Sequence, residues 1–192
     1  MTGVVLAGGR SSRFGGDKLA APYRGAPLLH HVVLRLAEVC DDVVVVTAPG
    51  VEPSLPVGVP ARVVHDPTEG EGPLAGTHAG LLAVRTGLAL LAGGDMPAMR
   101  TSVLLELVRV AREAPVEAVA LQDADRFRPL PSVMRAGRAL DVAHLLLHAG
   151  DRRLRSLLRA MTVAVVDEPT WTALDPDRRT LFDVDERGDL TR

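Results

Sequence analysis

Cysteine is nearly missing from this chain: Cys40 is the single one among 192 residues. That excludes an intrachain disulfide framework and any metal centre built from several thiolates. Cys40 itself reads as a small buried apolar residue. Aromatic side chains make up only 3% of the residues, while apolar residues reach 47%. The core must therefore be built from Leu, Val and Ala. Charge of one sign is also lacking. The net charge is −2, so no global basic field recruits nucleic acid, and an anionic ligand would need a local site. No apolar run approaches the roughly 20 residues of a membrane span. Met1-Thr2-Gly3 leads straight into a strand-like stretch with no basic segment before it. These features predict a soluble, cytoplasmic protein with neither nucleic acid nor membrane as partner. The six histidines show no metal-ligand spacing and read as packing or surface groups. There is no repeat, low-complexity tract or linker, and the length suits one domain over residues 1–192.

What the chain does have is alternation. Residues 3–7, 42–47, 61–65, 88–95 and 116–121 are short, apolar and strand-like. Between them lie stretches with apolar residues at helical spacing, over 27–40, 72–87 and from Thr101 to about residue 113. A further amphipathic helix is expected over 150–161, with Leu154, Leu157, Leu158 and Met161 on one face. Such a pattern predicts an α/β fold with a mostly parallel central sheet covered on both faces. Ligands of such sheets bind beyond the carboxyl ends of the strands. Three loops at those ends carry polar groups: the Gly-rich stretch after the first strand, Asp66, and Asp95.

The Gly-rich stretch is LAGGRSSRFGGDK, residues 6–18. Glycines let backbone N–H groups approach a ligand closely, and Arg13 and Lys18 add positive charge, so a polyphosphate is the expected ligand. It is not a Walker A loop, because Asp17 precedes Lys18 and Leu19 follows it. It is not a dinucleotide fingerprint either, because Gly8-Gly9-Arg10 breaks the G-x-G pattern.

This stretch closely resembles the signature of nucleotidyltransferases of the molybdenum cofactor guanylyltransferase type, a MobA-like group within the wider Rossmann-like transferases. GPLAG (72–76), GGDMP (93–97), RFRPLP (126–131) and LFDVDERGDL (181–190) follow in the same order, so the resemblance spans nearly the whole chain. It implies a three-layer Rossmann-like domain. It also implies attack by the terminal phosphate of molybdopterin on the α-phosphorus of GTP, with pyrophosphate leaving. Leu6, Ala7, Gly8 and Gly9 match the nucleotide-contacting segment, with Gly72, Pro73, Leu74 and Gly76 of GPLAG beside them. Lys18 matches the lysine on the phosphates, with Arg13 as a second cation. Asp66 matches an aspartate of the nucleotide pocket. Asp95 matches the carboxylate that holds Mg²⁺, the implied cofactor. Transient contacts with other proteins of molybdenum cofactor biosynthesis are also implied.

Several of these residues have plainer readings. Asp95 could cap a helix starting near Pro97, and Asp66 before Pro67 could form an Asx turn. Arg152 and Arg153 could reach the anionic acceptor or form a solvated face, and Arg128 is a third acceptor candidate. Where the family commonly has Asn-x-Asn-Thr-Pro, this chain has Asp183-Val184-Asp185. These aspartates lie on one side of an extended segment, suited either to joining Asp95 at the metal or to capping the terminal helix. The departure leaves open GTP or CTP as the nucleotide and one or two metal ions, but not the reaction class. A transferase with a different phosphate acceptor and a nucleotide-binding regulatory protein are the other readings, and the intact Lys18 and Asp95 argue against the second.

Overall fold

A computed structural model describes residues 1–8, 14, 17–67 and 71–191. In chain order the elements are β1 (Thr2–Leu6), β2 (Pro22–Tyr23), β3 (Ala26–Pro27), α1 (Leu28–Ala37), β4 (Asp42–Thr47), β5 (Ala61–His65), α2 (Pro73–Leu82), β6 (Leu88–Gly93), α3 (Thr101–Glu113), β7 (Ala118–Asp123), β8 (Arg126–Arg135), α4 (Ala136–His148), α5 (Leu154–Arg159), β9 (Val163–Val166) and α6 (Glu168–Leu174). Two 3₁₀ turns follow, at Arg179–Leu181 and Arg187–Thr191. The main sheet runs β5-β4-β1-β6-β8-β7-β9, and β2 and β3 form a separate hairpin. Strands β5, β4, β1 and β6 are mutually parallel, and β9 is parallel to β7. Only β8 runs against its neighbours. The sheet is therefore mostly parallel, as the alternation predicts.

Both faces are covered. Helices α1, α3 and α6 contribute to one apolar layer, with Leu29, Val32, Val33 and Leu36 of α1 against Val5, Val45 and Leu90. On the other face α2, α4 and α5 pack on Val4, Val44, Leu91 and Met134. These contacts follow from strand geometry, in which successive side chains point to opposite faces. Helix α2 sits so close to the sheet that a Cβ on Gly80 would lie 2.5 Å from Val4 Cγ1. Cys40 is buried, and burial pushes its thiol up to about 12. The scarce aromatics are used at joints: Trp171 is fully buried, and its indole N–H donates to the Gln122 carbonyl at 2.7 Å.

The β2–β3 hairpin, β8, α4, β9 and α6 lie where the sequence reading assigns no element, and one helix starts later than expected. Strand β8 is present although RFRPLPSVMR carries two prolines, which a central strand normally excludes. The physical reason lies in the register. Pairing with β6 begins only at Ser132, and the register with β7 shifts between Ala120 and Leu121, so Pro129 and Pro131 occupy a bulge. Helix α4, likewise unassigned, buries Ala136, Ala139, Val142 and Ala143 on one face. The helix expected over 150–161 begins only at Leu154, since Asp151 folds back on Arg153 and holds its backbone N–H at 2.9 Å. Among the described residues no helix is long and apolar enough to cross a membrane.

Candidate active site

Strand β1 has β4 on one side and β6 on the other, so the direction of winding reverses there. In open α/β sheets the crevice above such a switch point takes the ligand. Backbone hydrogen bonds bring the carboxyl ends of the four parallel strands to a common edge. Asp66 N–H donates to the Thr47 carbonyl, Ala7 N–H to Val46 and Gly94 N–H to Leu6, at 2.8, 2.8 and 2.9 Å. Leu6, Ala7 and Asp95 are thus on adjacent strands. Asp66 lies two strands from β1, roughly 10 Å away by sheet spacing. Its carboxylate faces α2, 3.7 Å from where a Cβ on Gly76 would sit.

The centre of the edge is a lysine among carboxylates. Lys18 Nζ donates to Asp95 Oδ2 at 2.9 Å and lies 3.6 Å from Asp185 Oδ1. The Lys18 side chain is only 12% exposed, so its ammonium is held in place rather than solvated. Asp183 joins from the same extended segment, with Arg128 Nη2 3.8 Å from its Oδ2. Burial, together with the charges of Asp95 and Asp185, raises Asp183 to about 6, against the pull of Arg128 and Lys18.

One contact brings that segment in. Val184 N–H donates to the Asp95 carbonyl at 2.9 Å, and its fully buried side chain packs with Phe14, Tyr23 and Leu28. Arg187 adds a hydrogen bond to the Phe14 carbonyl at 3.2 Å. The residues near the chain end are therefore strapped across the start of the crevice. Val184 and Arg187 did not stand out in the sequence. The available signal was the apolar residue between two aspartates, which needs a buried place for itself while its neighbours face out.

The segment GPLAG opens α2. Gly72 has φ +85° and caps the helix, with Pro73 in the first turn. A Cβ there would stand 3.0 Å from the Arg152 carbonyl, which also accepts from Leu74 N–H at 3.3 Å. This fixes what Arg152 does. Its guanidinium meets Glu71 at 3.0 Å and the Leu147 carbonyl at 2.9 Å, so it backs the loop instead of pointing a charge into the crevice. Arg153 is turned onto Asp151 by two side-chain hydrogen bonds of 3.0 and 2.9 Å, which hold that carboxyl well below its usual range. The acceptor role considered for Arg152 and Arg153 is therefore not matched by their contacts. Arg128 is gathered with the carboxylates. Gly9 and Arg13 lie outside the described residues.

The donors around Lys18 are all carboxylate oxygens, the kind a hard divalent cation takes. Among the described residues no three His, Cys, Asp or Glu converge on one point. Magnesium requires only one or two carboxylates, since it keeps several waters. The crowding of Asp183 by Asp95 and Asp185 is the second sign of a place suited to added positive charge.

Comparison with known proteins agrees with this geometry. The family model described as the MobA-like NTP transferase domain matches residues 3–165. A Mycobacterium avium protein named "Probable molybdenum cofactor guanylyltransferase" is 35% identical, over 99% of this chain and 93% of its own. The molybdenum cofactor guanylyltransferase of Desulfosudis oleivorans is 28% identical, over 100% of this chain and 93% of its own. Among solved structures, molybdopterin-guanine dinucleotide biosynthesis protein A from Archaeoglobus fulgidus superposes with a TM-score of 0.81 at 23% identity, covering 100% of this chain and 96% of that one. The 2-C-methyl-D-erythritol 4-phosphate cytidylyltransferase of Thermus thermophilus shares the fold, with a TM-score of 0.72 at 17% identity over 98% and 94% of the two chains. With its switch-point crevice and a family match over most of its length, the chain belongs to the MobA-like NTP transferase family.

Proposed function

We propose that this chain is a cytoplasmic, Mg²⁺-dependent molybdenum cofactor guanylyltransferase, which moves GMP from GTP to the terminal phosphate of molybdopterin. The observation that carries the reaction class is the part-buried Lys18–Asp95 pair at the β1/β6 edge. The substrates come from the names of relatives aligned nearly end to end.

The triphosphate lies along the edge, with its negative charge met by Lys18 and by the loop that precedes it. Lys18 is held by Asp95 before the ligand arrives, so little side-chain freedom is lost on binding. A phosphate oxygen of the acceptor forms a bond to the α-phosphorus of GTP. The bond from that phosphorus to the bridging oxygen breaks, and pyrophosphate leaves with the electron pair. Charge placed beforehand where charge develops is the main contribution a protein can make to such a step. Asp95, with one of Asp183 and Asp185 beside it rather than all three together, would hold Mg²⁺, which when bound neutralises charge on the transferring phosphate. The acceptor phosphate is already ionised, so no side chain need remove a proton from it. Asp66 and the GPLAG segment line the nucleotide's side of the edge, and Arg128 stands on the acceptor's side.

The test is pyrophosphate release by the purified protein with Mg²⁺ and molybdate-loaded molybdopterin, comparing GTP, CTP and ATP. Release with GTP at a rate well above the other two is expected. Equal or faster release with CTP would overturn the guanylyl assignment, and tight GTP binding with no release would overturn the enzyme.

A further inference from the structure

Past Ser132 toward its start, β8 runs beyond its last pairing with β6 and overhangs the crevice. Beside this overhang is a cavity of about 580 Å³, formed by Arg126, Phe127 and Pro129 of β8 with Arg155, Leu158 and Arg159 of α5, and with Asp125 at its rim. Its volume is in the range of small-molecule sites. Three guanidinium groups meet here with one carboxylate. Among the described residues the side chains of Arg126, Arg155 and Arg159 make no hydrogen bond or ion pair, whereas those of Arg152 and Arg153, just before α5, are each matched with an acid. Phe127 is 51% exposed in a chain with three phenylalanines, and it lines the same cavity as these arginines. Cations gathered without partners repel one another, and an exposed aromatic ring gains nothing from water. Together they fit a flat aromatic ligand that carries negative charge, stacked on Phe127 and on guanidinium planes.

We propose that this cavity seats the heteroaromatic body of the phosphate acceptor, with the guanidinium groups meeting anionic substituents on it, while its phosphate arm reaches the Lys18–Asp95 edge. This rests on the guanylyltransferase reading, in which the acceptor is a pterin. Arg128 lies between Phe127 and Pro129 in the strand and stands 3.8 Å from Asp183. The strand that lines the cavity thus also carries a residue of the carboxylate cluster. Arg126, Phe127, Arg155 and Arg159 are binding residues for the acceptor and take no part in the transfer itself.

The experiment uses 6-carboxypterin, a fluorescent heteroaromatic anion with no phosphate to be drawn to Lys18. Its binding is followed by fluorescence quenching with the full chain, with Arg155→Ala/Arg159→Ala and with Phe127→Ala, and melting curves confirm that the variants are folded. The parent should bind the probe, and each variant should bind it about tenfold more weakly or worse, as two charge-assisted contacts or a stacking partner are lost. GTP affinity should stay within twofold, and GTP should not displace the probe. In turnover the variants should raise KM for molybdopterin about tenfold with little change in kcat. No probe binding by the parent, displacement of the probe by GTP, or unchanged KM in the variants would overturn the cavity assignment while the parent's pyrophosphate release keeps the function standing. No release by the parent with GTP and molybdopterin would remove the function, and this assignment with it.

Discussion

The edge around Lys18 and the turn between α4 and α5 are both rich in charge, yet they use it in opposite ways. At the turn each arginine has its own acid, with Arg152 on Glu71 and Arg153 on Asp151. At the edge, one lysine serves Asp95 and Asp185, and Asp183 is crowded by both. A locally balanced pair is sufficient in itself and contributes to shape. A cluster of like charges is destabilising until something else arrives. The difference separates residues that build the loop from residues that await a ligand, although both sets are Asp, Glu, Lys and Arg.

The sharpest way to break this distinction is Asp95→Asn. The amide keeps the shape and much of any capping ability, since Asn and Asp cap about equally well. It removes the charge that holds Lys18 and the cation. Loss of one such electrostatic element costs about 10²–10³ in kcat, and the melting curve should be unchanged. Initial pyrophosphate release across a Mg²⁺ titration is the measurement. Near-parental rates at ordinary Mg²⁺ would show that Asp95 is structural like Asp151.

Lys18→Ala should weaken GTP binding and slow turnover by about tenfold or more, as expected for loss of a charge-assisted phosphate contact. Calorimetry with GTP and Mg²⁺ reads the first effect. Unchanged affinity would return Lys18 to the class of structural ion pairs.

Burial of Asp183, added to this crowding, also bears on stability. Asp183 is raised from 3.8 to about 6, so the native protein holds this proton more tightly than the unfolded chain does. Stability from this group is complete below about pH 4 and is lost as the pH rises through about 6. The groups facing it are Asp95, Asp185, Arg128 and Lys18. In EDTA, Asp183→Asn should melt higher than the parent at pH 7, and the gap should close toward pH 4. A lower melting temperature at pH 7 would mean that Asp183 is a satisfied structural residue.

The balanced turn should respond least. Arg152→Ala should cost about 1 kcal/mol, through a half-exposed ion pair and one carbonyl contact, and should leave kcat within a factor of two. Arg153→Ala should change neither turnover nor melting detectably. A rise in KM for molybdopterin with Arg153→Ala would move that residue from the structural set to the acceptor's site.

How much of this was legible in the sequence differs between the two halves of the sheet. Strands β1, β4 and β6 carry apolar runs, Val4–Leu6, Val43–Val46 and Leu88–Ala92, and β5 a shorter one at Val63–Val64. A parallel sheet buried on both faces demands that pattern, so these strands, and the crevice at their carboxyl ends, could be read off, whereas their order in the sheet could not. Strand β8 could not, because its prolines argue against a strand until a bulge is known to receive them. Lys18 and Asp95 were visible as motif residues. Their contact, across 77 positions of chain, was not visible.

The sequence by itself determined the layered α/β architecture and the residues that carry charge at strand ends, because apolar periodicity and glycine placement act locally. Only the tertiary structure decided which charges are shared and which are matched. Ion pairing depends on distances of a few ångströms, and those are set by packing between remote segments. Val184 buries itself against Phe14 and Tyr23 and so brings Asp183 and Asp185 to Lys18. Asp151 folds back on Arg153 and so keeps that cation from the crevice. A cation and an acid two residues apart, as with Arg153 and Asp151, or 167 residues apart, as with Lys18 and Asp185, look alike in composition. Folding alone tells the structural pair from the waiting one.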